Sequence, residues 1–448
     1  MNDVPRRKMA KSSEPDLLQS LAGANPPLAD DAATARPRPL RAGTFGVLDI
    51  GSSKICCLIG RVEADGALRV IGTGLRAARG IRAGGIVDLD RAFESIQGAV
   101  AEAEQKASHR IDSVTVNLSC GQPASRLFTV EWPVGGRIVT ERDIRAVVHE
   151  GVRRAQSSGR DSIHVLPLSF AVDDTQGVAD PRDMHCHQLS ARLHVIDAAG
   201  SAISNLMATL DRCSLTLKEL VSAPLAAGLA TLVEDEQQLG ATVIDMGGGS
   251  TGLAVFSEGH VLHTDLLRVG GHHVTNDIAR GMTAPVSEAE RLKTLYGSAQ
   301  PSPDDDRETI SYQLVGEADH DLHRAPRSEI IRIIRPRLEE TFEMVRASLE
   351  QAGIAREAGN RVVLTGGASQ LPGVRELAAQ LLDRQVRLGR PAALRGLPEI
   401  AQGPAFATAA GLLSWASGGG RQFADLNLED DSKPTFLRRI INFLVQRL

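Results

Sequence analysis

The same hydrophobic pattern is written twice in this chain. Val47-Leu48-Asp49-Ile50-Gly51-Ser52-Ser53-Lys54 continues into the apolar run Ile55-Cys56-Cys57-Leu58-Ile59, turns at Asp65-Gly66 and returns through Leu68-Arg69-Val70-Ile71. Far downstream, Val243-Ile244-Asp245-Met246-Gly247-Gly248-Gly249-Ser250-Thr251 continues into Leu253-Ala254-Val255-Phe256, turns at Glu258-Gly259 and returns from Val261 to Leu266. Each run predicts a β-hairpin entered through a turn of small residues. In both, a strand ends in an aspartate and small residues follow, where backbone has to approach another group closely. Related by a pseudo-twofold axis, the two turns would face one cleft.

Residue type indicates what such a cleft holds. Gly/Ser turns present backbone N–H and hydroxyl donors that cradle a polyphosphate. Asp49 and Asp245 would hold Mg2+, directly or through water, because that ion takes oxygen ligands and keeps several waters. Lys54 adds a point charge for a phosphate. One such hairpin alone is more often an ordinary turn; two matched copies favour a site. A third cluster, Val362-Val363-Leu364-Thr365-Gly366-Gly367-Ala368-Ser369, predicts a buried strand and a Gly-Gly turn against which a base or ribose can pack. Leu371-Pro372-Gly373 then opens a helix from Val374 to Leu382. In Ala289-Glu290-Arg291-Leu292-Lys293, Glu290 and Lys293 share a helix face, a spacing that by itself is more often a solvated ion pair.

The ends are different. Residues 1–43 hold Pro5, Pro26, Pro27, Pro37 and Pro39 without periodicity, which predicts a disordered extension; Glu14, Asp16, Asp30 and Asp31 argue against a transit peptide. Ser417-Gly418-Gly419-Gly420 and the acids up to Asp431 predict a flexible linker over 417–432. From Lys433-Pro434-Thr435 onward the period becomes helical. Phe436, Leu437, Ile440, Ile441, Phe443, Leu444, Val445 and Leu448 fill one broad face, and Arg438, Arg439, Asn442 and Gln446 the other. Arg447 falls inside the apolar arc, where its long stem can snorkel. About 20 Å long, this helix is too short to cross a hydrocarbon core of about 30 Å, so it predicts a surface anchor on an anionic membrane.

Composition narrows the reading. The 448 residues suggest several structural units, and 42% apolar with 23% charged residues is a globular mixture. A net charge of -5 supplies no basic field for nucleic acid. Five cysteines without a C-x-x-C pair fit a reducing, cytoplasmic setting. Two patterns compete for attention. Gly72-Thr73-Gly74-Leu75-Arg76-Ala77 matches a dinucleotide turn, but no helical period follows it. His185-Cys186-His187 with His194 offers metal-ligand types, but no fourth ligand recurs at zinc spacing.

The ordered set Asp49-Ile-Gly-Ser, Asp245-Met-Gly-Gly-Gly-Ser, Ala289-Glu-x-x-Lys293 and Leu364-Thr-Gly-Gly-Ala resembles the actin, heat-shock chaperone and sugar kinase superfamily of ATP-binding folds. More specifically it resembles the FtsA family of bacterial division proteins. The strand Val114 to Ser119, His164-Val165-Leu166-Pro167, a helix from Gly403 to Leu413 and the basic tail occur in that family's order.

The resemblance implies an α/β, actin-like (ribonuclease H-like) two-lobed fold with an inserted small α+β subdomain and a C-terminal amphipathic helix. The lobes would be residues 44–121 with 197–238 and residues 239–416, the insertion 122–196 and the anchor 433–448. It implies a filament-forming protein that ties the FtsZ ring to the inner membrane and meets other division proteins, with ATP and Mg2+ bound. Asp49, Gly51, Ser52, Ser53 and Lys54 match the first phosphate motif, and Asp245, Gly247, Gly248, Gly249, Ser250 and Thr251 the second. Glu290 and Lys293 match ribose and base contacts, and Gly366, Gly367 and Ala368 the adenosine motif. A carbohydrate kinase or a chaperone-like ATPase of the same superfamily is the alternative. Hydrolysis needs a residue that orients water, and Ser222 to Ala230, the first connecting helix, holds neither Gln nor acid, so turnover is expected to be weak or absent.

Overall fold

Apolar runs too long for simple alternation become strands covered on both faces. The computed structural model describes residues 43–317 and 321–418; the N-terminal extension, nearly all of the linker and the tail, with Phe436, Leu437, Arg438, Arg439, Ile440, Ile441, Phe443, Leu444 and Arg447, lie outside the described residues. β1 (Thr44–Ile50), β2 (Lys54–Val62) and β3 (Leu68–Ala77) form an antiparallel meander. A ribbon of β4 (Ile81–Arg82) and β5 (Gly85–Ile86) leads to the helix Leu89–Ala107, capped where the Asp88 carboxylate accepts the N–H groups of Asp90 and Arg91. That helix lies directly on β3. A Cβ at Gly72 would meet the Ala103 oxygen at 2.3 Å, and one at Gly74 the Ala99 oxygen at 1.8 Å. The dinucleotide-like pattern is therefore a helix-on-strand packing surface.

β6 (Ser113–Leu118) joins β1 in parallel, and the chain then leaves this sheet. β7 (Ala124–Ile138), the helix Glu141–Ala155, β8 (Arg160–Val172), β9 (Thr175–Val178) and β10 (His185–Ala199) make a separate sheet in the order β7-β10-β8-β9 with its own core. Here His185 and His187 are exposed, whereas His194 is buried with its Nε2 2.6 Å from the Ser125 hydroxyl. Among the described residues no group of three His, Cys, Asp or Glu could hold a metal. The helix Gly200–Arg212 and β11 (Thr216–Ser222) return beside β6, completing the order β11-β6-β1-β2-β3.

After the helix Ala223–Thr231, β12 (Ala241–Met246), β13 (Thr251–Ser257) and β14 (His260–Leu267) repeat the meander. The helices Gly271–Gly281 and Val286–Tyr296, a hairpin of β15 (Thr309–Gln313) with β16 (Leu322–Pro326), and the helix Ser328–Gln351 follow. β17 (Arg361–Thr365) and β18 (Gln385–Leu388) then join β12 in parallel. The order β18-β17-β12-β13-β14 reproduces the first sheet strand for strand. The duplication visible as two hairpins is thus a duplication of whole sheets.

The helices Ala223–Thr231 and Ala407–Ala416, almost wholly buried, pack between the halves. They touch at Gly411, where a Cβ would meet the Ala226 oxygen at 1.7 Å. Gly411→Ala must push this contact apart, and we expect a loss of about 1–3 kcal/mol, measured as a lower thermal midpoint. An unchanged midpoint would show that the contact relaxes freely.

Candidate functional site

The turns after β1 and β12 close identically. Gly51 N–H donates to the Lys54 carbonyl at 3.1 Å, and Gly247 N–H to the Ser250 carbonyl at 2.9 Å. In either copy a Cβ on the glycine would stand 2.9 Å from that same carbonyl oxygen. Both turns open on one cleft of about 450 Å3, whose walls hold Asp49, Gly51, Ser52, Ser53, Lys54, Asp245, Gly247, Gly248, Gly249, Ser250, Glu290, Lys293, Gly366, Gly367 and Ala368. Thr251 is not among them: it is fully buried, and its hydroxyl donates to the Val269 carbonyl at 2.8 Å.

Asp49 and Asp245 each stand next to last in their strands, Asp49 buried and Asp245 half-buried. Burial pushes the Asp49 carboxyl up to about 6; the Lys54 ammonium pulls it down and the Asp245 charge adds to the rise. Burial also raises Asp245, against the Thr408 hydroxyl, which donates to its Oδ2 at 2.9 Å, and against Lys54. Two carboxylates, one buried and one half-buried, that share the influence of one lysine leave excess negative charge on hard oxygen donors. That is the donor chemistry Mg2+ takes, so these residues fit the ion. Lys54 itself donates to the Ala405 carbonyl and sits 4.6 Å from the centre of the Phe406 ring.

The Glu290–Lys293 pair is no free surface pair. Lys293 Nζ lies 2.6 Å from Glu290 Oε2, 2.8 Å from Thr275 Oγ1 and 3.2 Å from the Gly271 carbonyl. The two glycines of the third turn differ in role. Gly366 has φ +83°, and a Cβ there would meet Asp245 Oδ1 at 2.3 Å, so only glycine lets the turn after β17 pass the carboxylate. Gly367 would meet only Ala405, at 3.8 Å, and otherwise opens on the cleft.

Several contributors lie outside the sequence motifs. Asn117 on β6 accepts the Ile50 N–H at 2.7 Å and fixes the end of β1 beside Asp49. Thr408 holds Asp245, and Thr275 bridges Glu290 to Lys293. His272 Nε2 reaches Ser53 Oγ across the cleft at 3.0 Å. A signal existed for the last: Gly270-Gly271 is another glycine pair at a strand-to-helix boundary, and a Cβ at Gly270 would meet the Gly247 and Gly248 carbonyls at 2.7 and 2.8 Å. Ala223 of the first connecting helix lines the cleft, and that helix carries no acid or Gln toward it.

Residues 242–411 match the family model described as cell division protein FtsA, and residues 121–197 the model for the SHS2 domain inserted in FtsA. Cell division protein FtsA of Rhizobium meliloti (strain 1021) is 41% identical over 405 residues, covering 87% of this chain and 90% of that protein. The FtsA of Pseudomonas aeruginosa is 34% identical, covering 82% and 88%, and that of Escherichia coli (strain K12) 32%, covering 82% and 89%. Among solved structures, a PilM–PilN type IV pilus biogenesis complex aligns with a TM-score of 0.60 at 21% identity, over 83% of this chain and 98% of that one. MreB5 of Spiroplasma citri bound to ADP aligns with a TM-score of 0.50 at 14% identity, over 86% and 98%. These two likenesses carry the actin-like fold, and the identity to the relatives over most of both chains carries more: the chain belongs to the FtsA family of cell division proteins.

Proposed function

We propose that this protein binds ATP with Mg2+ in the cleft between its two sheets and uses it as a conformational and polymerisation ligand. In this reading it ties the FtsZ ring to the cytoplasmic face of the inner membrane at the septum, and helps recruit other division proteins. The observation that carries the nucleotide is the paired Gly/Ser turn with an aspartate at the end of the strand behind each copy. Backbone N–H groups and the hydroxyls of Ser52, Ser53 and Ser250 would receive the phosphates. Asp49 and Asp245 would hold the Mg2+, which supplies charge neutralisation at the phosphates when bound. Glu290 and Lys293 would meet the ribose and base, with Gly366 to Ala368 as the wall beside them; all five line the cleft. Hydrolysis has no water-orienting side chain on the helix Ala223–Thr231, so binding rather than turnover is the role assigned. Among the described residues no helix is long and apolar enough to cross a membrane, and attachment is assigned to the basic tail.

Fluorescent ATP titration tests the cleft, and cosedimentation with FtsZ and liposomes tests the assembly. Gly367→Asp should bind ATP at least about tenfold more weakly while keeping its circular dichroism, because its carboxylate enters the cleft near the existing acids. Normal binding by the folded variant would remove Gly367 from the site.

A further inference from the structure

We propose that His272 is a phosphate-contact residue that takes up a proton when a nucleotide polyphosphate enters the cleft, which deepens the ATP-binding reading and rests on it. His272 stands at the start of the helix Gly271–Gly281, where its own N–H donates to the Gly248 carbonyl at 2.7 Å. Backbone thus pins the residue to the second phosphate turn. Its Nε2 lies 3.0 Å from Ser53 Oγ of the first turn. A Cβ on Gly248 would meet Ser53 Oγ at 2.9 Å and His272 Nε2 at 3.1 Å, so serine, glycine and imidazole enclose one spot between the two turns.

The chemistry of the partner decides the proton. A serine hydroxyl can give its proton to a ring nitrogen or accept one from it, whereas a phosphate oxygen without a proton can only accept. A polyphosphate that displaces Ser53 therefore requires Nε2–H, and an imidazolium serves it best. The surroundings keep the ring neutral beforehand. Burial, then Lys293 on the neighbouring helix and His273 on its own, hold its pKa below the usual histidine range, with Glu290 opposing. Lys54 follows Ser53 on the facing turn. Phosphate negative charge reverses this balance and raises the pKa, so the proton comes from solvent on binding and binding tightens as pH falls. Asp49, held near 6, acts in the opposite sense when it takes a metal, so the ring is isolated only by comparing variants.

The test is calorimetric titration of Mg2+·ATP into the full chain at pH 7 in two buffers of different ionisation enthalpy, which counts protons. The parent should take up more protons than His272→Gln, by up to about one, and the affinity ratio of parent to variant should grow by up to about tenfold from pH 8 to pH 6. His272→Lys, a permanent cation, should keep affinity without the uptake. A histidine ring signal in the nitrogen-15 spectrum of the parent should move to the imidazolium position on adding Mg2+·ATP, which needs no substitution. Equal proton uptake in the parent and both variants, or ring signals that do not move, would overturn the role of His272. A parent that binds no Mg2+·ATP at all would overturn the ATP reading beneath it.

Discussion

Asp49→Asn should lose Mg2+-dependent ATP binding and, without nucleotide, unfold at a higher temperature than the parent at pH 7. The two effects have one cause. A carboxyl raised by burial from its ordinary value to about 6 binds a proton more tightly folded than unfolded. The contribution of Asp49 to stability is therefore full below the unfolded pKa of about 4 and is lost as pH rises through about 6. Near neutrality the parent carries a cost on the order of 1–3 kcal/mol that the neutral amide does not. The same amide cannot anchor a cation, and truncating one partner of a buried charge cluster costs about 2–5 kcal/mol of binding, a loss of about thirtyfold or more. Asp245→Ala should lose binding likewise, since it leaves the Thr408 hydroxyl and Lys54 facing an empty position. Chelation of Mg2+ should weaken the parent toward the variants and leave the variants unchanged. Melts at pH 5 and pH 7 beside fluorescent ATP titrations decide the matter. A variant that binds as well as the parent would sink the two-carboxylate site, and one that melts lower at pH 7 would show that Asp49 stabilises the lobe instead.

The legible parts of this molecule were those that local pattern dictates. β1 to β3 and β12 to β14 declare themselves because apolar runs, a turn glycine and a polar return recur within a short window. The Gly366-Gly367 turn is legible for the same reason, although the sequence cannot tell which glycine packs on Asp245 and which faces the cleft. The misplaced Thr251 shows where pattern ends. Ser250 and Thr251 are both hydroxyl residues after a glycine run, but neighbouring residues at a strand entry point to opposite sides. Ser250 lines the cleft and Thr251 turns into the core. Asn117, Thr275, Thr408 and His272 were not singled out because each is brought to the site by a crossover or by the meeting of the two lobes, contacts that no local window contains. The separate sheet of β7 to β10 was placed only by resemblance, since ordinary alternation within its strands does not say which sheet they join.

Replacing Phe443 and Leu444 together by Glu should abolish flotation of the full chain on phosphatidylglycerol vesicles while leaving ATP binding intact. The argument rests on the sequence, in a segment outside the described residues. Lys433, Arg438, Arg439 and Arg447 give four positive charges with no acid after Asp431, on a chain whose net charge is -5. Each basic residue near an anionic surface contributes about 1 kcal/mol, and this attraction fades with salt. Seating Phe, Leu and Ile side chains at the acyl boundary adds on the order of a kcal/mol apiece after ordering costs. Neither term suffices alone for durable attachment, as the weak binding of a single acyl chain illustrates. The apolar term is the larger here, because Phe436, Leu437, Ile440, Ile441, Phe443, Leu444, Val445 and Leu448 outnumber the cations. Two glutamates remove two of the apolar anchors and add repulsion from the headgroups, whereas neutralising Arg438 and Arg439 should weaken flotation and leave the remainder less dependent on salt. Docking of the tail on the protein's own lobes is the competing account. It predicts that the Glu pair disturbs the thermal midpoint of the lobes, and that the parent floats no better on anionic than on neutral vesicles.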